Sequence, residues 1–300
     1  MYHGTPQSQA ALLERQLMFL ASLFEVVPLE RLGEPGGRRR RVALTFDDGL
    51  RSNVTVAYPL LRKLRLPATF YVCPDLIDKR RWLWNHEVRA RIATLDRDKF
   101  AALAEYFGAP AEREAFIEWM KRLDLASRRP VEQAVRRATR YFLSTPAQHE
   151  RYDLASWDEL ARLDPAIITI GSHTLTHSIL TSLTEAEAEH EIGESRRRIE
   201  ARLQRPVNHF CYPNGDVNAF VVASTRRHYA TAVSTVPGRV PPNYDPHYVP
   251  RWASASSLTH LARILYPWPR ALLGRIGERT LGRFTASLRL ISWRMRAISS

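Results

Sequence analysis

The chain has 300 residues, which is enough for one large α/β domain with a sizeable core or for two smaller domains. Hydrophobic residues make up 45% of the sequence and aromatic residues 10%, a composition that excludes a disordered protein. The 44 basic and 31 acidic residues give a net charge of +13, which suits a polyanionic partner, an acidic glycan or an anionic membrane surface.

Cysteine spacing and hydropathy bear on whether the chain is disulfide-rich, membrane-spanning or secreted. Cys73 and Cys211 form neither a disulfide framework nor a metal-binding spacing, and both lie in apolar runs that predict buried free thiols. No segment reaches the ~18 consecutive apolar residues of a transmembrane helix. Residues 1–9 lack the basic-then-apolar layout of a secretory signal. From these features we expect a cytoplasmic protein.

Strands and helices alternate along the chain. Residues 41–46 (RVALTF) predict a strand, 53–66 an amphipathic helix and 68–73 (ATFYVC) a second strand. The later predicted elements are a helix at 156–165, a strand at 166–172, a helix at 183–204, a strand at 207–213, a helix at 216–228, and strands at 229–234 and 247–252. Capping boxes predict that Ser156 and Thr184 cap the first two of these helices. This alternation predicts parallel strands joined by crossover helices, in an open sheet or a barrel.

Two stretches break the alternation. Residues 75–155 carry several helical patterns and no strand pattern, which predicts a helical insertion between two core strands. Residues 256–300 form a basic amphipathic tail that is either a solvated helix packed on the domain or a segment that contacts a membrane surface or a partner. The arginines of this tail are Arg263, Arg270, Arg275, Arg279, Arg283, Arg289, Arg294 and Arg296, against the single acid Glu278.

Two adjacent carboxylates follow the first predicted strand. Asp47 and Asp48 precede Gly49, and an Asp-Gly pair commonly closes a strand as a turn. The alternative is a metal site or an acid/base pair, because carboxylates near apolar surroundings need a cation, a proton or hydrogen bonds to compensate them. A partner elsewhere in the chain is needed to decide between these interpretations.

That partner is a histidine pair after the strand at 166–172. A helical turn that starts at Ser172 would put His173 and His177, four residues apart, on one face. Two imidazoles and one carboxylate can provide three ligands to a zinc-sized ion. Reactive groups of parallel α/β proteins gather where the strands end at their carboxyl edge. We therefore expect the aspartates and the histidines to meet in one site.

Three motifs resemble those of the NodB-homology polysaccharide deacetylases, carbohydrate esterase family 4, in its exopolysaccharide-type branch. TFDDG (45–49) and SHTLTH (172–177) look like the first two motifs, and FCYPNG (210–215) resembles the third. The resemblance covers residues 1–74 and 156–252. It implies an α/β fold of a distorted seven-stranded (β/α) barrel, here with the helical insertion and followed by the basic helical tail.

The resemblance also implies roles for single residues. One divalent metal, most often zinc, would be held by Asp48, His173 and His177, with Asp47 beside it as the general base. A backbone N–H in the third motif, here that of Asn214, would bind the oxyanion of the tetrahedral intermediate. Pro213 and Gly215 would shape that turn, and Tyr212 would wall the sugar site.

The sequence departs from the family pattern in two places. The third motif of the family often opens with an arginine, where this chain has Cys211; Arg251, in HYVPRW, is expected to orient Asp47 instead, the alternative being a surface arginine. No late motif with a leaving-group histidine is recognisable. His3, in MYH, resembles the histidine given that role in the exopolysaccharide branch, and His247 is the weaker candidate. The remaining histidines, interpreted as structural or solvated, are His86, His149, His190, His209, His228 and His260.

The leading hypothesis is a deacetylase domain at residues 1–255 followed by the tail at 256–300. It would remove N-acetyl groups from amino sugars of a bacterial-type polysaccharide or a lipid-linked glycan precursor. The alternatives are a catalytically weak glycan-binding module of the same fold and an O-acetyl esterase. A nucleic-acid binder is not expected, because no recognition motif is present. In the insertion, Trp82, Trp84 and Trp119 are candidates for stacking on a sugar, and core packing is the expected fate of at least two of them.

Overall fold

The computed structural model describes residues 1–34 and 39–265. By its contacts the chain divides into two units, Met1–Ser254 and Ala255–Ser300. In the second unit one helix is described, Leu258–Leu265. The arginines of the predicted tail beyond Arg263 lie outside the described residues. No helix in the described part of the chain is both long enough and apolar enough to cross a bilayer.

The sheets are entirely parallel. Strands β1 (Glu25–Val26) and β2 (Arg41–Val42) form a separate pair. The main sheet has its strands in sequence order: β3 (Leu44–Phe46), β4 (Ala68–Val72), β5 (Ile168–Ser172), β6 (His209–Cys211) and β7 (Thr231–Val233). In this register Phe46 pairs with Phe70, and Phe70 with Ile170. All the carboxyl ends of these strands therefore lie on one edge.

Helices connect and cover these strands. Their bounds are α1 Ala10–Leu23, α2 Tyr58–Leu64, α3 Pro74–Asp78, α4 Trp84–Ile92, α5 Arg97–Tyr106, α6 Arg113–Lys121, α7 Leu125–Ala138, α8 Pro146–Tyr152, α9 Trp157–Ala161, α10 Glu185–Leu203, α11 Ala219–His228 and α12 Leu258–Leu265. A π-helical turn, Asn53–Ala57, precedes α2, so the predicted helix at 53–66 starts with irregular winding. Helices α3 to α8 lie between β4 and β5, where the sequence predicts an insertion.

In the described residues the main sheet has five strands and not the seven expected of the barrel. Beyond β3 and β7 the sheet continues only as single bridges, Tyr2 to Phe46 and Val249 to Val233. The predicted strand at 247–252 is thus reduced to one bridging residue, because Pro250 follows it and has no N–H to donate to a ladder. The predicted strand at 41–46 is also divided, with Val42 pairing in the small sheet and Leu44 in the main one. The result is a curled parallel sheet, a half-barrel rather than the expected seven-stranded barrel.

The sheet has an apolar core, and the insertion has a separate one. In the domain core, Phe46 and Phe70 are fully buried and pack edge to face, with ring centroids 5.1 Å apart. The insertion has its own cluster, in which Trp84, Phe116 and Met120 are buried and Trp119 packs against them. Because burying such side chains accounts for most of the stabilisation of helices in proteins, the insertion is held as a packed unit and not as a loose loop.

Candidate active site

The first carboxylates lie in a left-handed turn at the end of β3. Asp48 has φ 73° and Gly49 has φ 65°, a region that aspartate tolerates better than most residues and that glycine adopts freely. A Cβ on Gly49 would lie 3.2 Å from the backbone of Val72. Asp47 and Asp48 are 2% and 5% exposed. The Asp-Gly turn and the buried acid pair, which the sequence offered as alternatives, are therefore the same feature.

The histidine pair lies on a loop, and the predicted helical turn from Ser172 is wrong. Thr174 and His177 have φ values of 64° and 59°, which a right-handed helix excludes. The imidazoles still converge, with ring centroids 4.7 Å apart. The Nε2 atoms of His173 and His177 lie 3.5 and 3.4 Å from Oδ1 of Asp48. The loop, and not a helix face, brings the rings together.

A buried glutamate on α10 holds this loop. The helix begins with a capping box, in which Thr184 accepts a hydrogen bond from the Glu187 N–H. In its second turn, Glu191 accepts hydrogen bonds from the N–H groups of Leu175 and Thr176, both at 2.9 Å, and from the Thr176 hydroxyl at 2.6 Å. Glu191 therefore fixes the backbone between the two histidines. This role could not be predicted from the sequence, because nothing local distinguishes Glu191 from its neighbouring glutamates.

Asp48, His173 and His177 form a donor set that fits a divalent metal. Their ligand atoms all lie within 4.8 Å of one another, and all three residues are buried. Nδ1 of His173 lies 2.7 Å from the carbonyl oxygen of Cys211, which can only accept, so Nδ1 carries the proton and Nε2 keeps its lone pair for a metal. Burial raises the pKa of Asp48, but hydrogen bonds from the imidazoles outweigh burial and hold it well below its usual range.

Asp47 is bound to Arg251 through both of its oxygens. Arg251 Nη1 lies 2.7 Å from Oδ1 and Nη2 lies 2.8 Å from Oδ2, while Nη1 also donates to Thr45. Arg251 is only 7% exposed, which rules out the alternative of a surface arginine. Burial acts to raise the pKa of Asp47, but the charge and hydrogen bonds of Arg251 outweigh it, and the pKa lies at about 2.

Cys211 lies beside this ion pair. Its Sγ is 3.5 Å from Oδ2 of Asp47 and accepts a hydrogen bond from Arg251 Nη2 at 3.1 Å. Asp47, His173 and Cys211 form a second group whose ligand atoms lie close together. Since Arg251 already occupies both oxygens of Asp47, the set built on Asp48 is the better metal site.

The third motif forms a tight turn after β6. Asn214 has φ 60°, and a Cβ on Gly215 would lie 1.9 Å from Oγ1 of Thr235, so only glycine fits there. Pro213 is buried at the start of this turn. Tyr212 is fully buried and its hydroxyl donates to the carbonyl of His247 at 2.9 Å. Tyr212 also lines the cavity described below, so its role as a wall of the sugar site stays a prediction.

These groups share one cavity of about 780 Å³. Asp47, Asp48, His173 and His177 line it together with His3 and Asn214, so the structure brings together most of the predicted site residues. His247, the second candidate for the leaving-group acid, does not belong to this lining in the described part of the chain. It is buried and its Nε2–H donates to the carbonyl of Tyr229 at 2.9 Å, which places it in the core.

The helical insertion contributes residues to the lining of the cavity. Trp84, Asn85 and His86 line the cavity at the start of α4, although His86 was interpreted as structural or solvated. Of the predicted stacking residues, Trp119 packs in the core of the insertion and Trp82 donates its Nε1–H to Asp153 at 2.7 Å. Among the three tryptophans, Trp84 alone reaches the cavity in the described structure.

Comparisons with known proteins identify the family of this chain. A family model described as polysaccharide deacetylase matches residues 35–98 and 131–233, more than half of the chain and inclusive of all three motifs. A search of curated proteins finds no match.

Solved structures show a similar fold. A Bacillus cereus polysaccharide deacetylase is 19% identical, with a TM-score of 0.56 over 89% of this chain and 67% of its own. The Streptococcus pyogenes deacetylase PplD, in complex with acetate, is 16% identical, with a TM-score of 0.58 over 89% of this chain and 96% of its own. A de-N-acetylase of Aggregatibacter actinomycetemcomitans is 12% identical, with a TM-score of 0.53 over 88% of this chain and 97% of its own.

Proposed function

Since this chain belongs to the polysaccharide deacetylase family, a family of hydrolases, we propose that it removes N-acetyl groups from amino sugars of a bacterial-type polysaccharide or a lipid-linked glycan precursor. The observation that carries this proposal is the buried set of Asp48, His173 and His177 beside the ion-paired Asp47, in one cavity. A volume of about 780 Å³ is in the range of small-molecule sites and accommodates a saccharide.

Asp48, His173 and His177 would hold one divalent ion, zinc by the nature of the donor set. When bound, such an ion polarises a carbonyl and lowers the pKa of its water to about 7. Asp47 is the proposed general base. Arg251 uses only two of the lone-pair sites of this carboxylate, so Asp47 keeps others with which to accept a proton. Arg251 acts as a positioning residue, because its fork fixes the plane of the carboxylate.

Asn214 and His3 have the two remaining proposed roles. The backbone N–H of Asn214 would donate to the oxyanion as the tetrahedral intermediate forms, since this turn borders the cavity next to the acid pair. His3 would protonate the departing amine. It lines the cavity, whereas His247 is enclosed in the core, so the structure favours His3 of the two histidines.

Acetate release tests this proposal. The purified protein would be incubated with N-acetylhexosamine oligosaccharides of different linkage and with an O-acetylated xylan, and its bound metals would be measured in the same preparation. We expect acetate from the N-acetylated glycans and about one divalent ion per chain. Release from the O-acetylated glycan alone would identify an O-acetyl esterase, and glycan binding without release would identify a binding module.

The loop contact of Glu191 predicts an effect on metal affinity. Glu191→Ala removes the acceptor of two N–H groups and one hydroxyl between the histidines, so the loop loses the constraint that aligns them. We expect the affinity for the metal to fall by about tenfold, as is typical when an outer-shell partner is lost. Competition with a chromophoric chelator measures this affinity.

The control for this prediction is Glu194→Ala. Glu194 lies on the same helix, and its carboxylate accepts from Arg197 and Arg198. Its replacement should leave the metal affinity unchanged. Equal affinities in Glu191→Ala and the unaltered protein would show that the loop keeps its shape without the glutamate.

We propose in addition that the basic tail at 256–300 contacts an anionic membrane surface. The amino-acid composition of the tail supports this proposal. Each arginine near an anionic surface contributes about 1 kcal/mol to the free energy of binding, and salt screens this attraction beyond a Debye length. In the described part, α12 carries Arg263 together with apolar residues. This contact would keep the enzyme near a lipid-linked substrate.

Co-sedimentation with anionic liposomes checks the tail proposal. The full chain is expected to sediment at low salt and to be released at high salt, and a chain without residues 256–300 should stay in the supernatant. Binding that is equal for both chains, or that is unaffected by salt, would contradict an electrostatic role of the tail.

A further inference from the structure

The first turn of α4 carries three polar atoms without a hydrogen-bond partner, on side chains that line the cavity of the proposed catalytic groups. Nε1 of Trp84, Oδ1 of Asn85 and Nδ1 of His86 are buried and have no hydrogen-bond partner among the described residues. All three side chains line the cavity that contains Asp47 and Asp48. Buried polar atoms are nearly always paired in native proteins, so this concentration at one cavity wall indicates a group that pairs with them.

The packing of these side chains keeps them in place. Trp84 is 9% exposed and the Arg128 guanidinium lies over its ring at 4.3 Å, so this face of the indole is not free to stack on a sugar. His86 stacks on Tyr152, with ring centroids 4.8 Å apart and planes inclined by 30°. Leu83, the residue before the helix, makes no side-chain cap to the first turn. The contacts with Arg128 and Tyr152 therefore hold the Trp84 and His86 side chains in place at this polar wall of the cavity.

The chemistry of the three atoms defines a class of ligand. An indole N–H only donates and an amide oxygen only accepts. Burial lowers the pKa of His86 to about 4, so at neutral pH its ring is uncharged and provides one donor and one acceptor. An anion would be repelled by the amide oxygen, and an apolar group would leave all three atoms unpaired. Neighbouring hydroxyl groups, each able to donate and accept, match the set.

We propose that Trp84, Asn85 and His86 form a sugar subsite, which binds ring hydroxyls of the amino sugar at this wall of the cavity. The subsite rests on the proposed deacetylase function for its substrate. It makes the helical insertion a determinant of which glycan enters the cavity, because α4 belongs to the insertion and not to the sheet that carries the three motifs.

The test is binding of an N-acetylhexosamine tetramer, measured by calorimetry on the metal-loaded protein and on its Asn85→Ala/His86→Ala variant. Loss of two hydrogen bonds is expected to weaken binding by about tenfold. The kcat/KM for the tetramer should fall by more than that for an aryl acetate, which has no sugar hydroxyls. Asn208→Ala and His190→Ala are matched controls, since both residues are exposed.

A variant with His86→Phe keeps the stacking on Tyr152 and removes the polar atoms, so it replaces the alanine variant if that protein does not fold. Unchanged tetramer binding in a folded variant, or an equal loss of kcat/KM for the tetramer and the aryl acetate, would overturn the subsite. If the unaltered protein binds the tetramer without releasing acetate, the proposed function fails, while weaker binding by the variant still supports the subsite.

Discussion

Asp47→Asn should lower turnover by about 10²–10⁴-fold while the metal stays bound. The substitution keeps the shape of the side chain but removes the carboxylate that accepts the proton. The three proposed metal ligands should be unaffected, because Asp47 is bound to Arg251 and not to the histidines. Steady-state kinetics on an N-acetylated glycan, with metal analysis of the same sample, measure both effects.

This variant also leaves the buried Arg251 without its counter-charge, so folding has to be checked. Breaking a buried pair commonly costs about 3–5 kcal/mol, and the free energy of unfolding should fall accordingly. Asp78→Asn is the matched control, because Asp78 also pairs with an arginine, Arg202, and does not line the cavity. Turnover within a few-fold of the unaltered enzyme in folded, metal-loaded Asp47→Asn would move the base to another residue.

The second large effect is expected from the histidine loop. The double substitution His173→Ala/His177→Ala removes two of three proposed metal ligands. We expect the metal affinity to fall by more than about 10²-fold, which exceeds the loss typical of removing a residue that contacts only a metal ligand. Activity should be lost in parallel. Metal content per folded chain after dialysis measures the effect.

His190→Ala serves as the control for this variant, because His190 is an exposed histidine on α10. It should retain the metal and the activity. A folded double variant that keeps one metal ion per chain would refute the assignment, and the group of Asp47, His173 and Cys211 would not rescue it, since that group also loses its histidine.

In the insertion, the sequence pattern predicts the helices but not the side chains that line the cavity. Apolar periodicity indicates helices in residues 75–155, and the structure has helices there. The same pattern does not say which side chains enter the site. Trp119 and His86 both lie on helices of the insertion, yet Trp119 packs in a helical core and His86 lines the cavity. This outcome depends on how the insertion packs against the sheet.

The sequence by itself determined the family, the alternation of strands and helices, and the helix starts at Ser156 and Thr184, because motifs, periodicity and caps depend on residues a few positions apart. Only the tertiary structure decided that the sheet has five regular strands, that the histidine loop is left-handed at Thr174 and His177, and that Arg251 binds Asp47. Arg251 and Asp47 are 204 residues apart. Such a contact depends on the curl of the whole sheet, so the sequence could only propose it and leave a surface arginine as the alternative.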